Sequence, residues 1–373
     1  MKIDAREMLR LCGFTDESEI SNYAWMINQG LDDEEHRKKI ETIITSLEEA
    51  INDFNILGTF DISKIRYATK IIDSLIMIKE QPTDEIIDDI ENKQNNPDLV
   101  HYKYLLKEFP TLMKASCGLE KGSYIVTADP NIGKTAFLVQ LCNDLLTSND
   151  GDSIKVLFVS LDDDKDDIIK RLISNMSYLI SHRIEEAPTI NATARFYDFY
   201  DEIEKKWKVN PKATELKKMA LKLIKENIKS KRLIITDSNH TLNTLRSAII
   251  DAGTENLVVL IDAVYHIKTN LTGNEKDDFI SNGIKQIARD FKIPVFCVKE
   301  LKKPDGDRKQ IKMADMKGSG SWGYDASFVA GLTDSEGRIK MWIDKNKKSD
   351  YKSRAIYYNF IPAKNIYQEL TED

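Results

Sequence analysis

Short apolar runs alternate with longer helical stretches through most of the chain, and this alternation constrains the fold more than any other feature. The runs are SYIVTA (123–128), KVLFVSL (155–161), RLIITD (232–237), NLVVLID (256–262) and IPVFCV (293–298). Continuous apolar runs separated by helices are typical of parallel strands that are covered on both faces. Two later runs, KMWIDKN and AIYYNFI, fit an antiparallel extension. The pattern predicts an α/β fold with a mainly parallel central sheet.

The first hundred residues differ in being helical and acidic. Residues 1–104 hold 12 Lys and Arg against 22 Asp and Glu, whereas the remainder of the chain is mildly basic. Apolar residues recur there at spacings of three or four, which predicts amphipathic helices. We predict a helical N-terminal region over 1–82, a linker with a short helix over 83–101 and the α/β domain over 102–373. The N-terminal region is either a solvated appendage or a module for oligomerisation or partner docking.

Cysteine usage and hydropathy exclude several classes of protein. The four cysteines are far apart and show no CxxC spacing, which argues against a disulfide scaffold and against a zinc site made of cysteines. No stretch approaches the roughly 18 consecutive apolar residues of a membrane helix, and the first residues lack the features of a secretory signal. We therefore expect a cytoplasmic protein with no membrane partner.

A candidate phosphate-binding loop joins the first apolar run to an amphipathic helix. Its Gly-Lys-Thr triplet lies between a strand and a helix, where backbone N–H groups face an anion. Lys134 would reach the β- and γ-phosphates, and the Thr135 hydroxyl would ligate Mg²⁺. The alternative is an ordinary turn, since Ala128 replaces the usual first glycine. The predicted nucleotide-binding residues are Ala128, Asp129, Pro130, Asn131, Ile132, Gly133, Lys134, Thr135 and Ala136.

Two other apolar runs end in carboxylates. Asp262 ends a wholly apolar run, and the C-terminal end of a buried strand is where ligands bind in such sheets. We predict that Asp262 holds the Mg²⁺ through water; the alternative is a helix cap. Asp162 follows another run and could orient or deprotonate the water that attacks the nucleotide. Alternatively, residues 162–167 only cap the helix that follows them.

These segments together resemble the C-terminal ATPase domain of DnaB-type replicative helicases, within the RecA-like ATPases. The loop ADPNIGKT is similar to that family's variant, in which alanine replaces the first glycine and proline follows two residues on. Further similar segments, in family order, are LFVSLDDDKDDIIKRLI, LVVLIDAVYHI, MADMKGSGSWGYDASFVAGL, IDKNKK and YYNFIPAKNIYQEL. The resemblance covers about residues 105 to 370. It implies a RecA-like P-loop fold, ATP and Mg²⁺ as cofactors, and ATP-dependent unwinding of DNA in replication.

The resemblance also implies partners. The family works on single-stranded DNA as a homo-oligomeric ring, so we expect a hexamer, with a primase or a helicase loader as a further candidate partner. Residues 1–100 do not resemble the family's N-terminal domain. That difference and the small size suit a phage or mobile-element version of the family.

The chain departs from the family pattern at three positions. Asp162 stands where the family has glutamate, Glu300 replaces a glutamine, and Lys347 occupies the position of the arginine finger. Lys345 and Lys347 are two residues apart on a predicted strand and so face the same side. The resemblance implies that both reach into a neighbouring subunit's nucleotide site, although lysine lacks the bidentate fork of arginine. The catalytic candidates are Asp162, Lys134, Lys345 and Lys347.

A basic loop follows the fifth apolar run. Residues 299–317 hold seven Lys and Arg against four acidic residues. In the family the corresponding loop lines the channel of the ring, where it tracks single-stranded DNA through its phosphates. The resemblance therefore implies that DNA is bound by Lys302, Lys303, Arg308 and Lys309. The alternative is a solvated surface loop.

Three functions stay open from the sequence. The first is an ATP-driven helicase or translocase. The second is a RecA-like ATPase, such as a recombinase or loader, that binds DNA without unwinding it. The third is a degenerate ring subunit that binds nucleotide for assembly, which the departures at Asp162, Glu300 and Lys347 favour.

Overall fold

The computed structural model describes most of the chain beyond residue 102. The described residues are 10, 103–129, 131–149, 154–183, 199–201, 206–208, 211–238, 240–302, 311–316, 318 and 320–370. Contacts divide the chain into two units, Met1–Leu99 and Val100–Asp373, and all the described residues except Arg10 belong to the second. The helical region over 1–82 and the linker over 83–101 lie outside the described residues, Arg10 apart, and stay predictions.

Helices and strands mostly alternate along the described residues as far as residue 325, and four strands follow one another after that. The helices are α1 (Pro110–Ala115), α2 (Lys134–Ser148), α3 (Lys165–Arg183), α4 (Pro211–Lys229), α5 (Leu242–Ala252), α6 (Gly273–Asp290) and α7 (Ser321–Asp325). The strands are β1 (Gly122–Ala128), β2 (Lys155–Ser160), β3 (Phe199–Asp201), β4 (Lys206–Lys208), β5 (Leu233–Thr236), β6 (Leu257–Asp262), β7 (Pro294–Glu300), β8 (Phe328–Ser335), β9 (Arg338–Asn346), β10 (Arg354–Ile361) and β11 (Ile366–Glu369). Short 3₁₀ turns follow β6, precede α7 and follow β10.

Nine of these strands form one sheet, in the order β11-β10-β9-β8-β1-β7-β6-β2-β5. The six strands from β8 to β5 are parallel, whereas β9, β10 and β11 extend the sheet with antiparallel pairs. The prediction of an α/β fold with a mainly parallel sheet is confirmed, as is the antiparallel extension. The small hairpin of β3 and β4 was not predicted.

The continuous apolar character of the central strands follows from helices on both faces of the sheet. Because successive side chains on a strand point to opposite faces, Val126 and Leu260 join a cluster on one face while Ile125 and Val259 join a cluster on the other. The first face packs against α2 and α3 and the second against α5 and α6. The core therefore forms two apolar layers separated by the sheet.

Parallel pairing brings the carboxyl ends of four strands to one edge of the sheet. Ala128 at the end of β1 pairs with Glu300 at the end of β7. Ser160 at the end of β2 pairs with Asp262 at the end of β6. The chain leaves β1 at this edge and enters α2, so the Gly-Lys-Thr turn and the carboxylates lie together.

Candidate nucleotide site

The turn between β1 and α2 has the backbone conformation of a loop that can surround an anion. Asn131 and Gly133 have φ angles of 65° and 98°, in the left-handed region. Gly133 is the N-cap of α2, and no side chain caps the helix there. The first N–H groups of α2 therefore stay available to a negatively charged ligand.

The Lys134 ammonium lies between this loop and the acidic edge of the sheet. Its Nζ donates to the carbonyl oxygens of Ala128, at 3.1 Å, and Asp129, at 3.0 Å. Burial lowers the pKa of Lys134, while the negative charges of Glu300 and Asp262, among others, act in the opposite direction. The ammonium is thus close enough to the loop to meet a phosphate bound there.

Asp262 is a buried carboxylate with one unsatisfied oxygen. Burial raises the pKa of Asp262 to about 6, and the nearby charge of Asp163 adds to this, whereas a hydrogen bond from the Thr135 hydroxyl opposes it. Asp262 Oδ2 has no hydrogen-bond partner among the described residues. Mg²⁺ prefers hard oxygen ligands, commonly one carboxylate together with phosphates and water. The side chains of Thr135 and Asp262 therefore fit a magnesium ion.

Asp162 lies beside this pair, in the turn between β2 and α3. It is among the carboxylates that influence the pKa of both Lys134 and Asp262. Its side chain is 58% exposed, and its Oδ1 is 3.4 Å from His266 Nε2. A carboxylate in this position is open to solvent water and close to the phosphate loop.

Three other acids of the run after β2 form ion pairs. Asp163 pairs with Arg171 at 3.2 Å. Asp166 and Asp167 both pair with Lys170 within α3. Asp166 and Asp167 thus support α3, whereas the charges of Asp162 and Asp163 both act on Asp262.

Two residues that were not among the predicted site residues complete the acidic edge. Glu300 is the charge that most strongly raises the pKa of Lys134. Its carboxylate accepts a hydrogen bond from Tyr265, and burial, followed by the charge of Asp162, raises the pKa of Tyr265 to about 12. The sequence marked Glu300 only as a departure from the family pattern, and it held no signal for Tyr265.

The last strands of the chain also contact the phosphate loop. The Tyr367 hydroxyl donates to the carbonyl oxygens of Ile132, at 2.9 Å, and Gly133, at 3.0 Å. The Phe360 ring stacks on Tyr367 with ring centroids 4.5 Å apart. A Cβ added at Gly133 would lie 2.5 Å from the Tyr367 hydroxyl, so only glycine fits there. No local sequence pattern could predict contacts between residues more than 200 positions apart.

Lys345 and Lys347 do not lie at the edge of the sheet that carries the phosphate loop: Lys345 is level with Ile125 in the middle of β1, and the Lys347 N–H donates to the Ser327 carbonyl just before β8. Lys345 pairs with Val329 near the start of β8, and its Nζ donates to the Tyr324 carbonyl at 3.0 Å. Burial lowers the pKa of Lys345 to about 8, and the neighbouring charge of Lys347 contributes. The two ammonium groups are therefore close to each other, but within one chain they do not join Lys134.

The structure divides the predicted DNA-binding loop. Lys302 Nζ donates to the Ala314 carbonyl at 3.0 Å. Lys303, Arg308 and Lys309 lie outside the described residues, as does Pro130 of the phosphate loop. Lys299, which the sequence counted in the basic loop, belongs instead to β7 and is only 2% exposed. It is therefore removed from any surface that DNA could contact.

The strand–loop–helix turn on this sheet defines a RecA-like nucleotide-binding domain. A family model described as the DnaB-like helicase C-terminal domain matches residues 105–361. The chain belongs to this family.

Curated relatives are replicative helicases. The chain is 22% identical over 254 residues to a probable plasmid replicative DNA helicase of Chlamydia trachomatis, an alignment that covers 65% of this chain and 50% of that protein. It is 25% identical over 243 residues to the replicative DNA helicase DnaB of Mycoplasma pneumoniae, with 61% and 46% covered. The chain thus spans about half the length of these curated relatives.

Solved structures agree on the fold. One ATPase domain matches with a TM-score of 0.62 at 19% identity, covering 79% of this chain and all of that domain. A DnaB-like replicative helicase, described with its interactions with primase, matches with a TM-score of 0.58 at 18% identity, covering 89% of this chain and 77% of that one. The prediction of a RecA-like domain is confirmed. In the part of the chain that the structure describes, no helix is long and apolar enough to cross a membrane.

Ionisation of the buried Asp262 carboxyl group lowers the free energy of unfolding of the domain at neutral pH. Because its folded pKa of about 6 exceeds the ordinary 3.8, the folded state holds the proton more tightly than the unfolded state. The protonated Asp262 carboxyl group therefore stabilises the folded state. This contribution to the free energy of unfolding is complete below about pH 4 and is lost as the pH rises through about 6. We expect Asp262→Asn to be more stable than wild type near pH 7, by about 1–3 kcal/mol.

Urea unfolding at several pH values measures this difference. The gain should shrink as the pH approaches about 4, where the wild-type carboxyl group is protonated. Asp350→Asn, at an exposed position, is the control and should change little at any pH. An equal effect of Asp262→Asn at all pH values would contradict the prediction.

Proposed function

We propose that this protein is an ATP-dependent DNA helicase that acts on single-stranded DNA as a ring oligomer in DNA replication. One observation carries the proposal. In a domain of the DnaB-like helicase family, a phosphate loop with Lys134 and Thr135 lies beside the buried carboxylate of Asp262, one of whose oxygens has no hydrogen-bond partner among the described residues. The names of the curated relatives support the same function.

Each residue of the site has a role in this proposal. The loop N–H groups and Lys134 hold the β- and γ-phosphates of ATP, and Thr135 and Asp262 hold Mg²⁺. Mg²⁺ held there would neutralise charge on the phosphate oxygens. Asp162 orients or deprotonates the attacking water, which its solvent exposure near Lys134 supports.

Lys345 and Lys347 act on a neighbouring subunit's ATP. They lie away from the sheet edge that carries the phosphate loop, so one chain does not bring them to its own nucleotide. In a head-to-tail ring, one edge of each copy meets the other edge of the next. A hexamer is the ring expected for this family, and a primase or a loader is a candidate partner, which the described contacts of one structural relative with primase support.

The second candidate is a DNA-stimulated ATPase that does not separate strands. Glu300 favours it, because a carboxylate lies at the end of β7 where the family pattern has glutamine. Strand separation on a forked DNA substrate distinguishes the candidates. Unwinding that needs ATP and Mg²⁺ supports the helicase, whereas ATP hydrolysis stimulated by single-stranded DNA without unwinding supports the second candidate.

We expect Lys134→Ala to lower ATP hydrolysis and unwinding at least about 100-fold, since it removes a charged donor from the phosphates. Steady-state hydrolysis and fork unwinding measure the loss, and circular dichroism checks that the fold is intact. Lys229→Ala, an exposed lysine at the end of α4, is the control and should keep both rates. Near wild-type hydrolysis by Lys134→Ala would show that the loop assignment is wrong.

Asp162→Asn should lower kcat about 100-fold with little change in ATP affinity, because a group that handles the attacking water acts mainly in the transition state. The matched control is Asp166→Asn in the same acidic run, whose carboxylate pairs with Lys170 on α3. It should keep kcat. Steady-state kinetics together with binding of a non-hydrolysable ATP analogue separate the two effects. An unchanged kcat for Asp162→Asn would leave that residue no role in hydrolysis.

Mixing experiments test whether Lys347 acts between subunits. If each ammonium group serves its neighbour's nucleotide, Lys347→Ala subunits should reduce the activity of mixed rings by more than their fraction. The control is Lys352→Ala, at a nearby exposed position. Adding Lys352→Ala subunits should leave the activity of mixed rings at the wild-type level. A loss that is linear in the fraction of Lys347→Ala subunits would count against action in trans.

Phosphate tracking by the loop predicts a salt signature. Alanine at all four loop positions should weaken binding of single-stranded DNA and reduce the log–log salt slope by about 0.7 for each phosphate that is no longer neutralised. The loop positions are Lys302, Lys303, Arg308 and Lys309. The control replaces four exposed lysines of α4, namely Lys218, Lys222, Lys225 and Lys229. If both variants bind with the wild-type slope, the loop is ordinary solvated surface.

A further inference from the structure

Lys299 is a buried cation close to the nucleotide site. It precedes Glu300 on β7, and its side chain is only 3% exposed. Neighbouring residues on a strand point to opposite faces, so Lys299 points away from the face on which Glu300 meets Tyr265. A buried charge is costly unless it is paired and hydrogen-bonded, and an apolar residue could fill this position more cheaply.

Asp277 of α6 is the partner of Lys299, and Trp322 of α7 completes the group. Asp277 Oδ1 lies 2.7 Å from Lys299 Nζ, and it accepts a hydrogen bond of 2.8 Å from Trp322 Nε1. The Lys299 ammonium also lies 4.5 Å from the centre of the Trp322 ring. Each of the three side chains thus contacts the other two, and they join β7, α6 and α7.

This group lies at the base of the basic loop. The two stems of the loop meet where Leu301 bridges Met316 and where the Lys302 N–H donates to the Asp315 carbonyl at 2.9 Å. Gly318 continues the second stem, and a Cβ there would collide with the Asp277 carboxylate. The first stem leaves β7 two residues after Lys299. Both stems are therefore attached to the Lys299–Asp277–Trp322 group.

The same group is attached to the phosphate loop. The buried Thr127 hydroxyl donates to the Lys299 carbonyl at 2.9 Å, and Thr127 precedes the first residue of the phosphate loop. Glu300, the residue after Lys299, is the strongest charge acting on Lys134. A shift of the β1–β7 edge that accompanies a change in the bound nucleotide would thus be carried to Lys299 along the backbone.

We propose that Lys299, Asp277 and Trp322 form a positioning network that couples the basic loop to the nucleotide site. The inference rests on the proposed function, since it takes the loop as the DNA-binding element. None of the three side chains touches nucleotide or DNA; the network fixes the loop stems relative to the β1–β7 edge. Replacing it with uncharged side chains should therefore break the link between DNA binding and ATP hydrolysis and leave each one intact.

The double variant Lys299→Met with Asp277→Asn tests this. Removing one partner alone leaves a buried charge unpaired and can unfold the protein, whereas removing both charges together is often tolerated. The asparagine oxygen can still accept the hydrogen bond from Trp322. The matched control is Arg246→Met with Asp290→Asn, which removes another partly buried ion pair, at 2.9 Å, that joins α5 to the C-terminal end of α6.

Three quantities are measured for the full chain: basal ATP hydrolysis, its stimulation by single-stranded DNA, and the salt dependence of DNA binding. In the double variant, the stimulation of ATP hydrolysis by single-stranded DNA should fall at least about fivefold, which corresponds to the lower end of common coupling energies. Its basal rate and salt slope should match wild type. The control should keep all three. Trp322→Phe, which keeps a ring over Lys299 and loses the indole donor, should fall between wild type and the double variant.

Two outcomes for the double variant would overturn the inference. Stimulation of the double variant at the wild-type level means that the network does not couple the sites. A basal rate that falls in proportion to the stimulated rate means that it only supports the fold. The proposed function can fail separately. If DNA stimulates ATP hydrolysis by the wild-type chain but the chain does not separate a forked substrate, the helicase proposal is wrong and the coupling test is still valid. If single-stranded DNA does not stimulate ATP hydrolysis by the wild-type chain, there is no coupling and the inference is wrong.

Discussion

The register of the parallel strands is the constraint on which the rest of the domain depends. It sets the end of β1 beside the end of β7 and the end of β2 beside the end of β6, so that Ala128, Glu300 and Asp262 share one edge. A shift of one residue would turn each side chain to the other face of the sheet. The two apolar layers oppose such a shift, because it would move buried side chains from one layer into the other.

The charges at this edge are held in an arrangement that a ligand would relieve. Burial opposes the ionisation of Asp262, and Lys134 is partly desolvated among several carboxylates. A phosphate beside Lys134 and a cation beside Asp262 would supply the missing opposite charges. Functional sites commonly give up stability for such an arrangement. The same logic applies to Lys299, whose burial has a structural cost and whose partners lie at the base of a loop.

Much of the fold and part of the site were predictable from the sequence. Continuous apolar runs predicted the parallel sheet because both faces of its strands must be buried, and the Gly-Lys-Thr triplet predicted a turn between β1 and α2 whose backbone can surround an anion. Asp162 and Asp262 were predicted as site residues because the first follows a strand and the second ends one, and the structure places both where their charges act on Lys134. Lys299 was assigned wrongly to the basic loop, since a count of charges does not reveal which side chain points into the core.

Long-range contacts were not predictable, because they join residues that are far apart in the chain. Tyr367 holds the phosphate loop through Ile132 and Gly133, and no local pattern announces this. The sequence by itself determined the order of strands and helices and the chemistry of the loop, because hydrophobic periodicity and turn residues act locally. Only the tertiary structure decided the sheet order, which keeps Lys345 away from the edge that carries Lys134, because pairing between distant strands depends on packing across the whole domain.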